Sequence, residues 1–223
     1  MDRVIVFDVN ETLLDVAALD PLFERLFGNA TVRREWFGQM LQSAFVSTIT
    51  GSYRDFGALA MGSLAMVAER HAVTLDDGDR TALGQGIRSL PPHPEVRAAM
   101  DMLRDAGFRL GTLTNSTAEV GEIQVANAGL RDLLEQVLSA DAVGRLKPAP
   151  EPYRMAAERF GVPIGSVRLV AAHSWDIAGA LGAGCAAAFV ARPGQVLDPL
   201  GGRPDIVGRN VQEVADHILE VDR

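Results

Sequence analysis

The sequence predicts an α/β protein, a doubly wound parallel sheet with a helical bundle inserted after its first strand. Three observations carry this. Val4-Ile5-Val6-Phe7 is a continuous apolar, β-prone run, as expected of a central strand buried on both faces. From Leu14 to about Arg88 helical patterns follow one another with no strand between them. Beyond the Pro91-Pro92-His93-Pro94 cluster, helical and strand-like runs alternate strictly, as parallel strands joined by crossover helices do.

In the insert, Pro21 starts a helix with Leu22, Phe23, Leu26 and Phe27 on one side. Thr31 is the expected N-cap of a longer helix carrying Trp36, Phe37, Met40, Leu41, Ala44 and Phe45, which Gly51-Ser52 breaks. A third helix is expected from Tyr53 through Val67 and a fourth from Asp79 to Ile87, together a small bundle. The proline cluster then ends the helical region and stiffens the connection. After it come a helix over 95–106, a strand over 109–113, a helix over 118–128 and a short strand at Val137-Leu138. A helix over 151–160 leads to a strand over 167–172, a helix over 176–182 and a strand over 187–190. A strand at 205–207 and a helix over 211–219 close the chain. Residues 1–13 and 93–223 are therefore expected to form the core, and residues 14–92 a lid above the carboxyl end of the first strand.

At 223 residues the chain is long enough to bury a substantial core. Its net charge of −8 leaves no basic excess to neutralise phosphates, which excludes a general nucleic-acid binder but not a small anionic substrate held by a local cation. A single cysteine, Cys185, allows no internal disulfide and no cysteine metal cluster, and its Gly- and Ala-rich surroundings read as core. The opening residues carry no secretory pattern, and the longest uncharged stretch, Ile177 to Ala191, is shorter than a membrane span. A cytoplasmic protein with no membrane partner is expected.

Asp8 ends the first strand, where open α/β sheets place their ligands. Alone it reads more readily as a turn former than as a nucleophile; Thr12, four residues on, and the polar residues at other strand ends favour chemistry. The stretch Phe7-Asp8-Val9-Asn10-Glu11-Thr12-Leu13-Leu14-Asp15 resembles the first motif of the haloacid dehalogenase superfamily, and within it the type II, or (S)-2-haloacid, dehalogenases. The resemblance implies a Rossmann-like core with an inserted helical cap, a nucleophilic Asp8, no cofactor, a small acid as substrate and a homodimer. Phosphatases of the superfamily carry a second Asp two residues after the first, which protonates the leaving alcohol. Asn10 stands there, an amide that cannot supply that proton, and a halide needs none.

Three further motifs resemble the superfamily's. Thr114-Asn115, after the strand Leu110 to Leu113, imply contacts to the substrate carboxylate and the departing halide, while Ser116 or Thr117 can cap the next helix. Lys147-Pro148 implies a cation that keeps Asp8 ionised, and Tyr153 resembles a tyrosine of the substrate site, although an ordinary core role fits it equally. In Leu169-Val-Ala-Ala-His-Ser-Trp-Asp176, Asp176 is expected to orient Lys147 and help activate water, Trp175 to wall the halide side and His173 to assist the water. With one acidic residue in this motif and a histidine where a hard cation would want oxygen, no metal is expected. The amides that follow Asp8, at Val9 and Asn10, and the Lys147 ammonium would stabilise the oxyanion of ester hydrolysis.

Two departures from the dehalogenases stand out. Phe37 occupies the place of an arginine that helps receive the halide, and Arg33, Arg34 and Gln39 are expected to point elsewhere on the helix. Ala171-Ala172-His173 replaces a Ser-Ser-Asn run. The expected reaction is displacement of halide from a 2-haloalkanoate by Asp8, then hydrolysis of the aspartyl ester to a 2-hydroxy acid. The alternatives are a phosphatase acting on a small phosphate ester and a small-acid-binding protein without turnover.

Overall fold

The computed structural model describes residues 3–222; residues 1, 2 and 223, which the expected core includes, lie outside the described residues. Six parallel strands, β1 (Val4–Phe7), β2 (Arg109–Thr114), β3 (Gln136–Ser139), β4 (Val167–Ala171), β5 (Ala186–Val190) and β6 (Ile206–Gly208), form one sheet in the order β3-β2-β1-β4-β5-β6. β1 is central, with Phe7 beside Thr112 of β2 and Val170 of β4. The chain runs outward through β2 and β3 on one side and returns past β1 to β4. The carboxyl end of β1 is therefore the switch point at which such sheets open a crevice.

All four β1 side chains are buried, and they divide by pleat. Ile5 and Phe7 join a core with helices α5 (Val96–Asp105) and α9 (Val211–Val221). Val4 and Val6 face the other way, into a core with α7 (Pro150–Phe160) and α8 (Ser174–Ala183). Helix α6 (Ala118–Asn127) connects β2 to β3 and starts at Thr117, whose hydroxyl accepts from Val120 N. Arg168, fully buried in β4, holds Asp205 through both carboxylate oxygens and also bonds Asp222 at the end of α9.

Between β1 and α5 lie α1 (Asp20–Phe27), α2 (Val32–Thr50), α3 (Phe56–Arg70) and α4 (Asp77–Arg88), whose apolar faces extend the first of these cores through Phe23, Trp36, Met40, Leu64 and Leu83. Two expectations about this region are corrected. Thr31 does not cap α2 with its side chain, because its hydroxyl is given to Asn29 Oδ1. The third helix starts at Phe56, not Tyr53, because Asp55 accepts from Ala58 N as its N-cap. Tyr53 instead donates its hydroxyl to Asp141, after β3.

The chain leaves and re-enters the sheet region at one place. Leu14 bridges Pro92 antiparallel, Asp15 N donates to Pro91 O at 2.8 Å, and His93 N donates to Leu13 O at 2.9 Å. Among the described residues no helix is long and apolar enough to cross a membrane.

Candidate active site

The geometry starts at the turn after β1. Asp8 N is held by Val170 O at 3.0 Å, and Glu11 N by Leu14 O at 2.9 Å. The amides of Val9 and Asn10 meet no backbone acceptor among the described residues. Thr12, fully buried, donates its hydroxyl to Asp8 Oδ2 at 2.7 Å and accepts from Ala172 N at 2.9 Å, tying the β1 turn to the end of β4.

Lys147 sits at the centre with no exposed surface. Its ammonium donates to Asp8 Oδ1 at 2.9 Å and to Asp176 Oδ2 at 2.6 Å. Burial works to raise the Asp8 carboxyl, but the Lys147 cation, with His173 and Thr12, outweighs it and holds Asp8 below its ordinary range. Burial works equally to discharge Lys147, and the two carboxylates reverse that and raise it. Asp176 is raised, chiefly by burial and with Asp8 adding to it, against the pull of Lys147. The site thus holds Asp8 as an anion beside a retained cation.

Asn115 is bonded to the backbone of Lys147, and Tyr153 to Asp176. Asn115 brackets the Lys147 backbone, accepting from its N at 2.8 Å and donating to its O at 3.3 Å. Thr114 accepts from Ser116 N at 3.1 Å. Both are buried and make these bonds to the protein's own backbone. Tyr153, buried in α7, donates to Asp176 Oδ1 at 2.5 Å, and burial beside Asp176 pushes its phenol well above the ordinary value. Gly179 makes room for that bond, since a Cβ there would lie 2.5 Å from the Tyr153 hydroxyl and 2.9 Å from Pro148 O.

His173 is sandwiched between Phe37 (centroids 5.8 Å) and Trp175 (5.2 Å), both nearly parallel to it. Its Nε2 meets Glu11 Oε2 at 2.8 Å. Its Nδ1, buried and without a hydrogen bond among the described residues, faces Asp8 Oδ2 at 3.4 Å. Burial opposes a charge on this ring, but the two carboxylates prevail and push it up to about 9. Trp175 also lies under Lys147, 5.8 Å from Nζ to the ring.

Glu11 is the partner that the sequence reading missed. It has φ 63°, in the left-handed region, and its carboxylate also accepts from Gln195 Nε2 at 2.8 Å and pairs with Arg33 at 3.7 Å. Nothing in its sequence neighbourhood marks it out from a solvated turn residue. Arg33 and Arg34 are corrections: neither points away from position 37, since both line the cleft that Phe37 lines. Four residues apart on one helix share a face, and Arg33, Phe37, Glu11 and His173 line one polar cleft of about 670 Å³. The Arg33 guanidinium is nonetheless committed to Asp20 and Glu11.

Phe37 also borders a second, apolar cavity of about 230 Å³, with Trp36, Met40, Phe56, Asn10 and Ser116 among its walls. Asn10 is turned to that side, donating to Ser116 Oγ at 3.4 Å and accepting from Gln124 Nε2 at 3.0 Å. The magnesium used by phosphatases of this fold does not fit these residues. An ammonium fills the space between the two carboxylates, and an imidazole stands where an oxygen ligand is needed.

A nucleophile-placed aspartate, its threonine and a lysine bridging it to a second aspartate at the switch point of a parallel sheet define a hydrolase site. Over residues 3–184 the chain matches the haloacid dehalogenase-like hydrolase family model, and it belongs to that family. It is 30% identical to haloacetate dehalogenase H-2 of Moraxella sp. (strain B), with 98% of each chain covered. To (S)-2-haloacid dehalogenase 2 of Pseudomonas sp. (strain CBS-3) it is 29% identical, covering 95% of this chain and 93% of that one. Its fold matches the L-2-haloacid dehalogenase of Xanthobacter autotrophicus with chloropropionic acid covalently bound, at TM-score 0.92 and 23% identity over the whole of both chains. The crystal structure of the L-2-haloacid dehalogenase RSc1362 superposes at TM-score 0.93 with 28% identity, over 97% of this chain and 98% of that one.

Proposed function

We propose that the protein hydrolyses the carbon–halogen bond of a short 2-haloalkanoic acid through an ester on Asp8, with no cofactor. One observation carries this reading. The Asp8 carboxylate is held ionised by Lys147 at 2.9 Å while Asn10 is turned aside with no proton to give, an arrangement suited to a leaving group that departs as an anion.

In this reading an oxygen of Asp8 attacks the substrate carbon, the carbon–halogen bond breaks with its electron pair, and configuration inverts. Water then adds to the Asp8 carboxyl carbon, and the amides of Val9 and Asn10 with the Lys147 ammonium receive the oxyanion. Thr12 orients the nucleophile. Asp176, steadied by Tyr153, orients Lys147, and Asn115 fixes the lysine's backbone. Thr114 holds the turn at Ser116, and Trp175 and Phe37 wall the site. The apolar cavity beyond Phe37 takes the substituent on the substrate's second carbon. We place residues 14–92 as a cap over a core of 1–13 and 93–223. We also assign the protein to the cytoplasm as a homodimer, in which the exposed Val46 and Ile49 of α2 are side chains an interface would cover.

The test is halide release from racemic 2-chloropropionate and from haloacetates, in chelator, with Asp8→Asn as control. Release that disappears in the variant supports the reading. Equal release from both proteins, or none from either, refutes it.

A further inference from the structure

We infer that the apolar cavity beside Phe37 is built for a haloacid whose side chain ends in a second carboxylate, and that Arg88 receives that group. This deepens the dehalogenase reading above and rests on it. Among the described residues that wall the cavity Arg88 alone is charged, and the rest are apolar but for Asn10, Ser116 and Thr117. Arg88 closes α4 and is exposed, so its head lies on the cavity's rim. The guanidinium folds back over Gly84, where Nη1 donates to Gly84 O at 3.2 Å. A Cβ at Gly84 would lie 3.4 Å from Nη1 and 3.7 Å from Met61 Cε, so the missing side chain lets the cation lie beside Met61, another wall residue. The rim is fixed to the core, because Asn127 of α6 donates to Arg88 O at 2.9 Å and Gln124 of α6 to Ile87 O at 2.8 Å. Gln124 also donates to Asn10 Oδ1 at 3.0 Å, which ties the rim to the turn that follows Asp8.

The guanidinium has capacity left for a ligand. Among the described residues no carboxylate pairs with Arg88, and its Nε and Nη2 donate to no protein acceptor. A planar fork with free N–H groups is the donor geometry that a carboxylate matches with two parallel bonds. The polar cleft on the other side of Phe37 suits the group less. Three acids, Glu11, Asp15 and Glu95, line it, and two of its three arginines, Arg33 and Arg192, are already paired with carboxylates. No acid among the described residues lines the apolar cavity. A chain with net charge −8 repels a dianion at long range, so a local cation is what makes such a substrate bindable. Apolar walls with one placed cation select a ligand with the same order of parts, methylenes against Leu19, Met61 and Val120 and an anion at the end of the chain. The substrate class is therefore the 2-halo-dicarboxylic acids, with the halogen-bearing carbon at Asp8 and the second carboxylate at Arg88. The bonds made and broken are those of the monoacid reaction, and the product is a 2-hydroxy dicarboxylic acid.

The experiment compares steady-state bromide release from 2-bromosuccinate, 2-bromoglutarate and 2-bromoadipate with that from 2-bromohexanoate, on wild type, Arg88→Gln and Arg88→Lys, with Asp8→Asn to subtract spontaneous release. At least one diacid should exceed 2-bromohexanoate in kcat/KM with wild type. In Arg88→Gln the ratio of that diacid to 2-bromohexanoate should fall roughly tenfold, mostly through KM, because a charge-assisted pair is lost. The ratio cancels any loss of folded protein. Arg88→Lys, which keeps the charge without the fork, should return part of it. An equal fall for diacid and monoacid in Arg88→Gln would mean that Arg88 only attracts anions to the rim, and overturns the assignment. A ratio that moves by less than about twofold, the range of an exposed pair, overturns it as well. So does a wild type in which no diacid matches 2-bromohexanoate, and in all three cases the dehalogenase reading survives. If wild type releases no bromide from any of these acids or from 2-bromopropionate, the dehalogenase reading fails and the assignment with it.

Discussion

Lys147→Ala tests the electrostatics of the site without any substrate. The ammonium is fully buried and is shared between Asp8 and Asp176 at 2.9 and 2.6 Å, so its loss strands two neighbouring carboxylates out of water. Removing one partner of a buried ion pair costs about 3–5 kcal/mol, against about 0–1 for a surface pair. For a chain of this size that is a fall in Tm of roughly 6–20 °C. The pH dependence is the sharper test. Without the lysine burial and mutual repulsion push the pair of carboxyls up above the unfolded value of about 3.9, opposed at Asp8 only by His173 and Thr12 and at Asp176 only by Tyr153. A group raised in the folded state gives stability at low pH that is lost as pH rises through its folded pKa. The variant should therefore lie closest to wild type near pH 5 and fall furthest behind near pH 8. Adding Asp176→Asn should restore at least about 1 kcal/mol, since it removes one of the stranded charges. Urea denaturation followed by circular dichroism at the two pH values reads this directly. A loss under about 1 kcal/mol, or one equal at both pH values, would refute the picture of a dry, shared cation.

Other expectations can be checked as simply. Gly179→Ala forces a methyl into the Tyr153 hydroxyl and Pro148, so it should cost about 1–3 kcal/mol in thermal denaturation and lower kcat by loosening Asp176. Arg168→Leu leaves Asp222 buried with Arg3 as its remaining ion-pair partner and Asp205 unpaired by arginine. It should cost about 3–5 kcal/mol in urea, with halide release by the folded fraction little changed. The 230 Å³ apolar cavity exceeds the roughly 150 Å³ that accommodates benzene, so 2-bromohexanoate should be preferred to 2-bromopropionate in kcat/KM. Val120→Phe, which fills that cavity, should remove the preference; an unchanged ratio would mean the substituent lies elsewhere.

Much of this was legible before any coordinates. Strands with unbroken apolar runs, such as Val4–Phe7 and Ala186–Val190, announce themselves because burial on both faces leaves no polar position to confuse the period. Asp8, Thr12, Lys147 and Asp176 could be picked out because each belongs to a short motif at a strand end. Their meeting was expected from the resemblance alone, since it depends on β1 lying between β2 and β4, and pairing order is written in no single strand. Glu11 escaped because the property that matters is a backbone angle and a partner 162 residues away. Arg33 was misjudged for a simpler reason: its four-residue spacing from Phe37 already placed both on one face.

The paired crossings at Leu13–Asp15 and Pro91–His93 have a consequence for how such a protein can change over evolutionary time. Because the two ends of the insert are already joined by backbone bonds, the intervening residues hang from the sheet as a side branch whose closure adds almost no further entropy cost. A cassette of different length or sequence could be spliced at the same seam without disturbing the order or register of any strand. Phe37, Arg33 and the apolar cavity walls of α2 and α3 all reside on that branch, whereas Asp8, Lys147, Asp176 and His173 do not. The seam thus lets substrate choice drift while the bond-making groups stay where they are.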